Sequence, residues 1–595
     1  MNIRTDILWR VYLVYAIMLL FSGAVLWQLC KVQFKEGDKW RAMAKSGSTR
    51  KIEVEAIRGN ILADDGSLLA TSLPEYNLHL DGMVLSRDQD DFNDQIDSLG
   101  GELTKLFPEK TSQEYIREIK KVCQRKDRFY LFKKGVSYSD LKTLKEFPLF
   151  NQGHFKSGLI PIQENKRIKP FGNLAYRTIG YFTEKVKPIG LEGAYRESLL
   201  GKPGEELVEK VAGGIWVPVH DEPDISPTDG DDIVSTINVN IQDVAQNALL
   251  KALQENKAEH GCVIVMAVNT GEIKAIANLT RTPKGEYEER FNYAIGESAE
   301  PGSTFKLATY LVALESHKID TNTLVDTHNG RLNLHNHWIT DAHSGLGIVN
   351  AKKAFEESSN VAAASLISDS FSDHPEAFTK GLLALNLNKR LGIPIPGEAW
   401  PRIKNPNSMD WSALSLQQIA YGYEIKLTPL QMLTLYNSVA NDGVEIAPLL
   451  VKEIDHSGKP IQVFTSRVIS PSICSSSTLQ KLRSMLRGVI QSGTGKDLNK
   501  KIYSIAGKTG TAQIAQGASG YNGENGKKYQ ASFCGYFPAD NPEYSIMVVI
   551  NDPSTGKYYA AAVAEPVFGD IADQIYASRL DLHPDFAVVK RIKSN

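Results

Sequence analysis

Glu300-Pro301-Gly302-Ser303-Thr304-Phe305-Lys306 opens an almost wholly apolar run, Leu307-Ala308-Thr309-Tyr310-Leu311-Val312-Ala313-Leu314-Glu315. That run predicts a helix from Ser303 to about Glu315, apolar nearly all round and therefore buried inside a domain. Residues i and i+3 share a helix face, so Lys306 reaches back to the Ser303 hydroxyl. Serine is a weak nucleophile until a neighbouring base takes its proton, and a desolvated, neutral lysine can be that base. A Ser-x-x-Lys tetrapeptide alone reads as surface coincidence. Two further elements follow it in order, Ser358-Ser359-Asn360 and Lys508-Thr509-Gly510-Thr511. Read singly, the first is a helix cap and the second a turn. The ordered trio, each part in fitting local context, is a strong signal of one active site.

Working outward, the chain of 595 residues is too long for one core, so two to four domains are expected. A net charge of −2 offers no basic field, which excludes nucleic acid as a partner. Cys30, Cys123, Cys262, Cys474 and Cys534 lack Cys-x-x-Cys spacing and make neither a disulfide framework nor a zinc site. Cys262 and Cys534 sit in apolar, strand-like runs and read as core residues. His328, His335, His337 and His343 lie close together, but they match no His-Glu-x-x-His pattern and read as a polar hairpin. No metal and no cofactor are expected.

Val11 to Cys30 carries no charge. About 20 apolar residues match a hydrocarbon core of roughly 30 Å. A cleaved signal is shorter and ends in a small-residue site, whereas Ser22-Gly23-Ala24 lies inside this run and Val25-Leu26-Trp27 continues it. Leu29 before Cys30 also spoils a lipobox. The expectation is an uncleaved anchor, with a cleaved signal or a buried core helix as alternatives. Arg4 and Arg10 precede the span and Lys31, Lys35 and Lys39 follow it, so charge does not fix orientation. The expected organisation is a tail over 1–10, an anchor over 11–30, a mixed, turn-rich domain over 31–225, a catalytic domain over 229–580 and a tail over 581–595. Glu222-Pro223-Asp224-Ile225-Ser226-Pro227 reads as the linker. Strands are expected at 233–237, 262–267, 273–277, 532–536 and 544–550, and helices at 241–255 and from Pro566 to about Ser578. Asn269-Thr270-Gly271 and Asp65-Gly66 read as hairpin turns. The pattern is α+β.

Residues 229–580 resemble the transpeptidase domain of class B penicillin-binding proteins, and the whole chain follows their layout. The division-specific, FtsI-like branch is the closer resemblance, carried by Tyr421-Gly422-Tyr423-Glu424-Ile425-Lys426-Leu427-Thr428-Pro429-Leu430-Gln431 and by Ile339-Thr340-Asp341-Ala342-His343. Arg58-Gly59 and Gly190-Leu191-Glu192-Gly193 correspond to motifs of that family's N-terminal pedestal. The chain departs from the family where Asp-Arg-Asn-Gly is usual, reading Ala63-Asp64-Asp65-Gly66. The resemblance implies a serine transpeptidase domain of the β-lactamase and penicillin-binding-protein kind, with an antiparallel sheet flanked by helices. It also implies an elongated, non-catalytic, dimerisation-like pedestal and a single transmembrane helix.

The resemblance implies roles as well. Ser303 is the nucleophile that attacks the penultimate D-alanine of a peptidoglycan stem peptide. Lys306 is its base, kept neutral by burial and by the cation of Lys508. Ser358 relays a proton to the leaving D-alanine nitrogen, and the Asn360 amide holds the substrate peptide. Lys508 and Thr509 bind the terminal carboxylate, and Gly510 lets substrate backbone approach. The N–H groups of Ser303 and Thr511 form an oxyanion hole. β-Lactams acylate Ser303 and deacylate slowly. Glu192 is read as structural, with a regulatory domain contact as the alternative, and the loop from Gly517 to Lys528 as a flexible hairpin connection, with substrate gating as the alternative. The Glu-Asp-x-x-Phe-x-x-His-x-Gly pattern of a glycosyltransferase is missing from the first 220 or so residues, which implies a monofunctional enzyme. Its expected partners are an FtsW-like polytopic glycosyltransferase and other divisome membrane proteins. Its expected place is the bacterial inner membrane, single-pass, with the catalytic domain on the periplasmic side. The alternatives are an elongation-specific transpeptidase, a β-lactamase or D,D-carboxypeptidase passing the acyl group to water, a β-lactam sensor, and a non-enzymatic scaffold. Ten residues before the span leave a sensor no output domain, and three intact motifs argue against a scaffold.

Overall fold

Strands rich in Val and Ile from His260 onward build an antiparallel sheet in the spatial order Tyr287–Glu288, Ile273–Arg281, His260–Ala267, Tyr544–Asn551, Lys528–Phe537, Ala506–Ile514. Every residue of His260–Ala267 and Tyr544–Asn551 is buried, because helices cover both faces. Side chains alternate between faces along a strand. Phe533 pairs with Val548 in register and packs against Phe568 of the helix Glu565–Ser578, with ring centroids 4.7 Å apart. Ser545, an odd number of positions from Val548, points the other way and donates at 2.7 Å to Asn437 of the helix Pro429–Ala440. The helix Val239–Asn256 lies on the Phe568 side, where its Leu249 and Leu253 close over Gly261.

The computed structural model describes residues 3–153, 156–183, 186–211, 215–218, 225–517, 520–523 and 526–579. The expected tail 581–595, the first half of the 222–227 linker and part of the 517–528 loop lie outside those residues. Within them the expected strands and helices form, most of them longer by one or more residues than their sequence signals, while the strand expected at 233–237 is shorter, Asp232–Ser235. Asn269-Thr270-Gly271 makes the hairpin, with Gly271 at φ +75° and the Ala447 carbonyl 2.6 Å from where a Cβ would sit. Arg331–Leu334 and His337–Thr340 form the polar hairpin, turned by His335 and Asn336, both at positive φ.

The chain divides into two compact units that cut across the boundaries expected from sequence. One comprises Met1–Arg58, Ser72–Lys166 and Gly201–Gly230, and the other Gly59–Thr71, Arg167–Leu200 and Asp231–Asn595. Pairing explains why Gly59–Thr71 joins the second unit. Ile61–Leu62 lies parallel to Ile233–Val234, and Ile61, Ala63, Leu69 and Ala70 enter the core of the central sheet. Arg167 ties the two pedestal motifs together, donating at 2.6 Å to Glu192 and at 2.8 Å to the Gly59 carbonyl. Glu192 is buried there and structural.

In the first unit, Gln89–Leu106 and Ser112–Arg125 pack as a helix pair around Phe92, Ile96, Leu99, Tyr115 and Ile119. Thr111 and Glu114 form a capping box that starts the second helix. Thr49–Val54, Gly204–Val211 and Ile215–Pro218 make a three-stranded sheet. The N-terminal helix, Ile3–Cys30, is followed by a wider turn at Lys31–Lys35. The helical stretch Ile7–Lys35 is long and apolar enough to cross a membrane, its most apolar part reaching a mean hydropathy of 2.0 with its surface exposed.

Candidate active site

Ser303 lies in a single 3-10 turn, Gly302–Phe305, that runs into the helix Lys306–Glu315. From Pro301 to Leu314 it alone is not fully buried. Three contacts from distant segments fix this turn. Gly302 adopts φ +57° and donates at 3.1 Å to the Gly422 carbonyl. Tyr436 donates its hydroxyl to the Thr304 carbonyl at 2.8 Å. Thr309, one turn into the helix, donates at 2.8 Å to the Ala420 carbonyl.

Lys306 is wholly buried beneath Ser303. Its Nζ lies 3.2 Å from Ser303 Oγ, 2.6 Å from the Ser358 carbonyl, 3.3 Å from Ser358 Oγ and 2.7 Å from Asn360 Oδ1. Burial pulls its pKa down to about 7, against the opposing pull of the Asp341 carboxylate. A neutral amine has two N–H groups and one lone pair. The two closest acceptors, the Ser358 carbonyl and Asn360 Oδ1, take the two hydrogens, and the lone pair is left for the hydroxyl of Ser303 or Ser358.

The second motif sits between two helices, Ala351–Glu356 and Asn360–Phe371. Its capping residue is Ser359, which accepts from the Ala362 amide at 2.9 Å, so the bland reading holds for the middle residue alone. Ser358 is forced to φ +59°, an uncommon conformation outside glycine. That turn aims both its carbonyl and its hydroxyl at Lys306. Asn360 also holds the base in place: its Oδ1 accepts from Lys306, and one N–H of its Nδ2 goes to the Thr340 carbonyl at 2.9 Å, which leaves the second N–H of the amide outside these two bonds.

The third motif is a strand, not a turn. Ala506–Ile514 forms one edge of the sheet, and its only ladder is with Lys528–Phe537 among the described residues. Gln513 donates its backbone N–H away from that ladder, to Tyr423 Oη at 2.8 Å. Amides two apart point the same way, so the N–H groups of Thr511 and Thr509 also face the free edge. Side chains divide by the same parity. Thr509 and Thr511 share one face, while Lys508, Gly510 and Ala512 share the other, against the Ser303 turn.

This parity corrects two expectations. Lys508 and Thr509 do not jointly present themselves to a carboxylate, since neighbouring strand residues point to opposite faces. Lys508 is buried, donates to the Thr509 carbonyl at 3.1 Å and lies 5.8 Å over the Phe355 ring. Its amine is driven well below the ordinary lysine range by burial first and by the charge of Lys306 second. The low pKa of Lys306 comes from burial rather than from the charge of Lys508. Gly510 serves packing: a Cβ there would lie 2.8 Å from Thr304 Cγ2 and 2.6 Å from Ser532 Oγ. A strand Cβ leaves the face of the sheet, not its edge.

A cleft next to the second and third motifs is lined by Asn360, Thr511, Gln513, Tyr421, Tyr423 and Trp338, among others. Sequence reasoning gave no role to several residues that shape the site. Asp341 accepts from the Asn360 and Val361 amides at 2.6 and 2.9 Å and from Ser359 Oγ at 2.7 Å. Thr494 meets Thr509 hydroxyl to hydroxyl at 2.6 Å. Asp341 and Gly422 fall in stretches with a family resemblance, which was their only signal. Tyr436 and Thr494 carried none. Among the described residues, no three His, Cys, Asp or Glu side chains gather to hold a metal ion.

A half-exposed serine over a buried lysine of low pKa, with a free strand edge alongside, defines an active-site-serine acyltransferase of the α+β, penicillin-binding-protein fold. The chain belongs to the penicillin-binding-protein transpeptidase family: the family model described as "Penicillin binding protein transpeptidase domain" matches residues 261–573. The "Penicillin-binding Protein dimerisation domain" matches residues 53–235, and the pair gives the class B architecture. The chain is 29% identical over 436 residues to "Peptidoglycan D,D-transpeptidase FtsI" of Escherichia coli (strain K12), covering 71% of this chain and 69% of that protein. It is 26% identical over 580 residues to "Probable peptidoglycan D,D-transpeptidase PenA" of Neisseria meningitidis serogroup B (strain ATCC BAA-335 / MC58), covering 94% and 91%. Among solved structures, Penicillin Binding Protein 2X from Streptococcus thermophilus matches with a TM-score of 0.74 at 20% identity, over 88% of this chain and 80% of that one. That match establishes the fold.

Proposed function

We propose that this protein, a peptidoglycan D,D-transpeptidase of class B penicillin-binding-protein type, works through an acyl-enzyme on Ser303 with Lys306 as the proton acceptor. The observation that carries the reading is the 3.2 Å separation of Lys306 Nζ from Ser303 Oγ, with the amine buried and its pKa near 7. Ser303 gives its proton to the Lys306 lone pair as Oγ attacks the carbonyl of the penultimate D-alanine. The oxyanion takes hydrogen bonds from the Ser303 and Thr511 amides, each such donor worth about 10²–10³ in rate. The tetrahedral adduct collapses by breaking the bond to the terminal D-alanine nitrogen. That nitrogen receives the proton from Lys306 through Ser358 Oγ, 3.3 Å from the amine. The amine of a second stem peptide attacks the ester, loses its proton back along the same path and frees Ser303. Thr509 and Thr511 receive the terminal carboxylate, and Lys508 supports them from behind the strand.

Residues 229–580 are read as the transpeptidase domain and 31–225 as a non-catalytic pedestal. The apolar helix is read as a single-pass anchor in the bacterial inner membrane, with the catalytic domain outside. The septum, with an FtsW-like glycosyltransferase and other divisome proteins as partners, is favoured by the similarity to FtsI. Fluorescent penicillin tests both levels. Ser303→Ala should abolish labelling of a folded protein, and label in cells should collect at the septum. Many penicillin turnovers per minute would instead identify a β-lactamase, and side-wall label an elongation enzyme.

A further inference from the structure

The free edge of Ala506–Ile514 does not stay free along its whole length. Tyr423 enters the cleft between two other rings, 5.4 Å from Tyr421 and 5.6 Å from Tyr521, both edge-on. Its hydroxyl accepts the Gln513 N–H at 2.8 Å. A peptide adding to this edge as an antiparallel strand exchanges backbone bonds with alternate residues. On the reading proposed above, on which this inference rests, the penultimate D-alanine carbonyl takes the Thr511 N–H, and its own N–H faces the Thr511 carbonyl. The strand and the peptide run in opposite directions. The next pairing therefore sets Gln513 against the residue two positions before the penultimate D-alanine. The donor for that pairing is already taken.

We propose that Tyr423 sets the point at which the donor stem peptide leaves the sheet edge. Its hydroxyl occupies the Gln513 amide, so backbone pairing ends at the penultimate D-alanine and the residues before it are selected by their side chains in the aromatic cleft. Tyr423 is in this sense a specificity-determining residue. It suits a peptide whose upstream part is not a regular extended strand, such as one that branches through a side chain or alternates stereochemistry.

The test uses two N-acetylated donor peptides ending in D-alanyl-D-lactate with one residue before the penultimate D-alanine, so that the acetyl carbonyl stands opposite Gln513. In the second peptide that amide is replaced by a fluoroalkene of the same shape, which accepts hydrogen bonds poorly. In the wild-type protein kcat/KM should agree within about twofold between the two. In Tyr423→Phe the Gln513 amide is released, and the parent peptide should be preferred by about three- to tenfold, the size of one recovered hydrogen bond. Equal preference in both proteins overturns the proposal. So does a full preference already present in wild type, a result that holds even if the variant folds poorly. If penicillin G fails to acylate wild-type Ser303, the underlying reading falls first and this inference falls with it.

Discussion

Gly422 holds Gly302 by backbone alone: a Cβ at position 422 would lie 2.0 Å from the Gly302 carbonyl oxygen, and Gly422 adopts φ +90°. The residue beside the nucleophile is thus seated by a glycine 120 positions away. The contact admits no side chain, and positive φ makes any replacement strained. Gly422→Ala should leave the sheet core intact but displace the Ser303 turn. Displacements near 1 Å cost about 10²-fold in rate, so acylation by penicillin should fall by about that factor. Stopped-flow acylation, beside circular dichroism showing retained fold, checks it. Wild-type acylation rates in Gly422→Ala would sink the assignment.

Lys306 must be neutral to accept the Ser303 proton. With its pKa near 7, acylation should rise about tenfold per pH unit well below 7 and level off above it. Stability carries a matching signature. The folded pKa lies below the ordinary 10.5, so between about 7 and 10.5 the unfolded chain binds the extra proton. Stability therefore rises with pH through that window. Lys306→Met removes this contribution, and its Tm should climb less between pH 7 and pH 9.5 than that of wild type. Parallel slopes for the two proteins would refute the buried, low-pKa amine.

Asp341 touches no reacting atom, yet it raises the Lys306 pKa and receives the Asn360 and Val361 amides at the start of a helix. Asp341→Asn should shift the midpoint of the pH–acylation curve downward, because the charge that favours the protonated amine is gone. It should also cost about 1 kcal/mol through the weakened cap. A loss of stability with an unmoved midpoint would leave Asp341 a cap and nothing more.

Gly510 and Thr304 pack strand against turn, and a Cβ at 510 would meet Thr304 Cγ2 at 2.8 Å and Thr304 N at 3.2 Å. Gly510→Ala should push the Ser303 turn off the strand and slow acylation by about ten- to a hundredfold. Thr304→Ser removes the crowding methyl and keeps the hydroxyl that donates to the Pro301 carbonyl at 2.9 Å. The double variant should therefore recover part of the rate. No recovery would return Gly510 to the substrate-approach role expected from sequence.

Much of the frame was legible because its signals are local. The apolar runs at 262–267 and 544–550, the Asn269-Thr270-Gly271 turn and Pro566 at a helix start each report on a few adjacent residues. The compact units were harder. Ile61–Leu62 joins the catalytic unit through a parallel partner some 170 positions away, and no local pattern announces such a pairing. The site shows the same division. The segment around Lys508 reads as a turn only when taken alone; as part of the ordered trio it reads as a strand edge, and the parity that separates Lys508 from Thr509 follows once that strand is placed in the sheet.

The sequence by itself determined that Ser303 and Lys306 meet, because three residues of helical chain place the two side chains on one face wherever the helix lies. It also determined the order of the three motifs and the apolar wrapping of that helix. Only the tertiary structure decided that burial, not the amine of Lys508, lowers the Lys306 pKa. It also decided that Asn360 serves the base and that Gly422, Tyr436 and Asp341 seat the nucleophile's surroundings. Desolvation and backbone contact depend on which distant segments share a volume, and that is a property of the packed chain, not of any stretch of it.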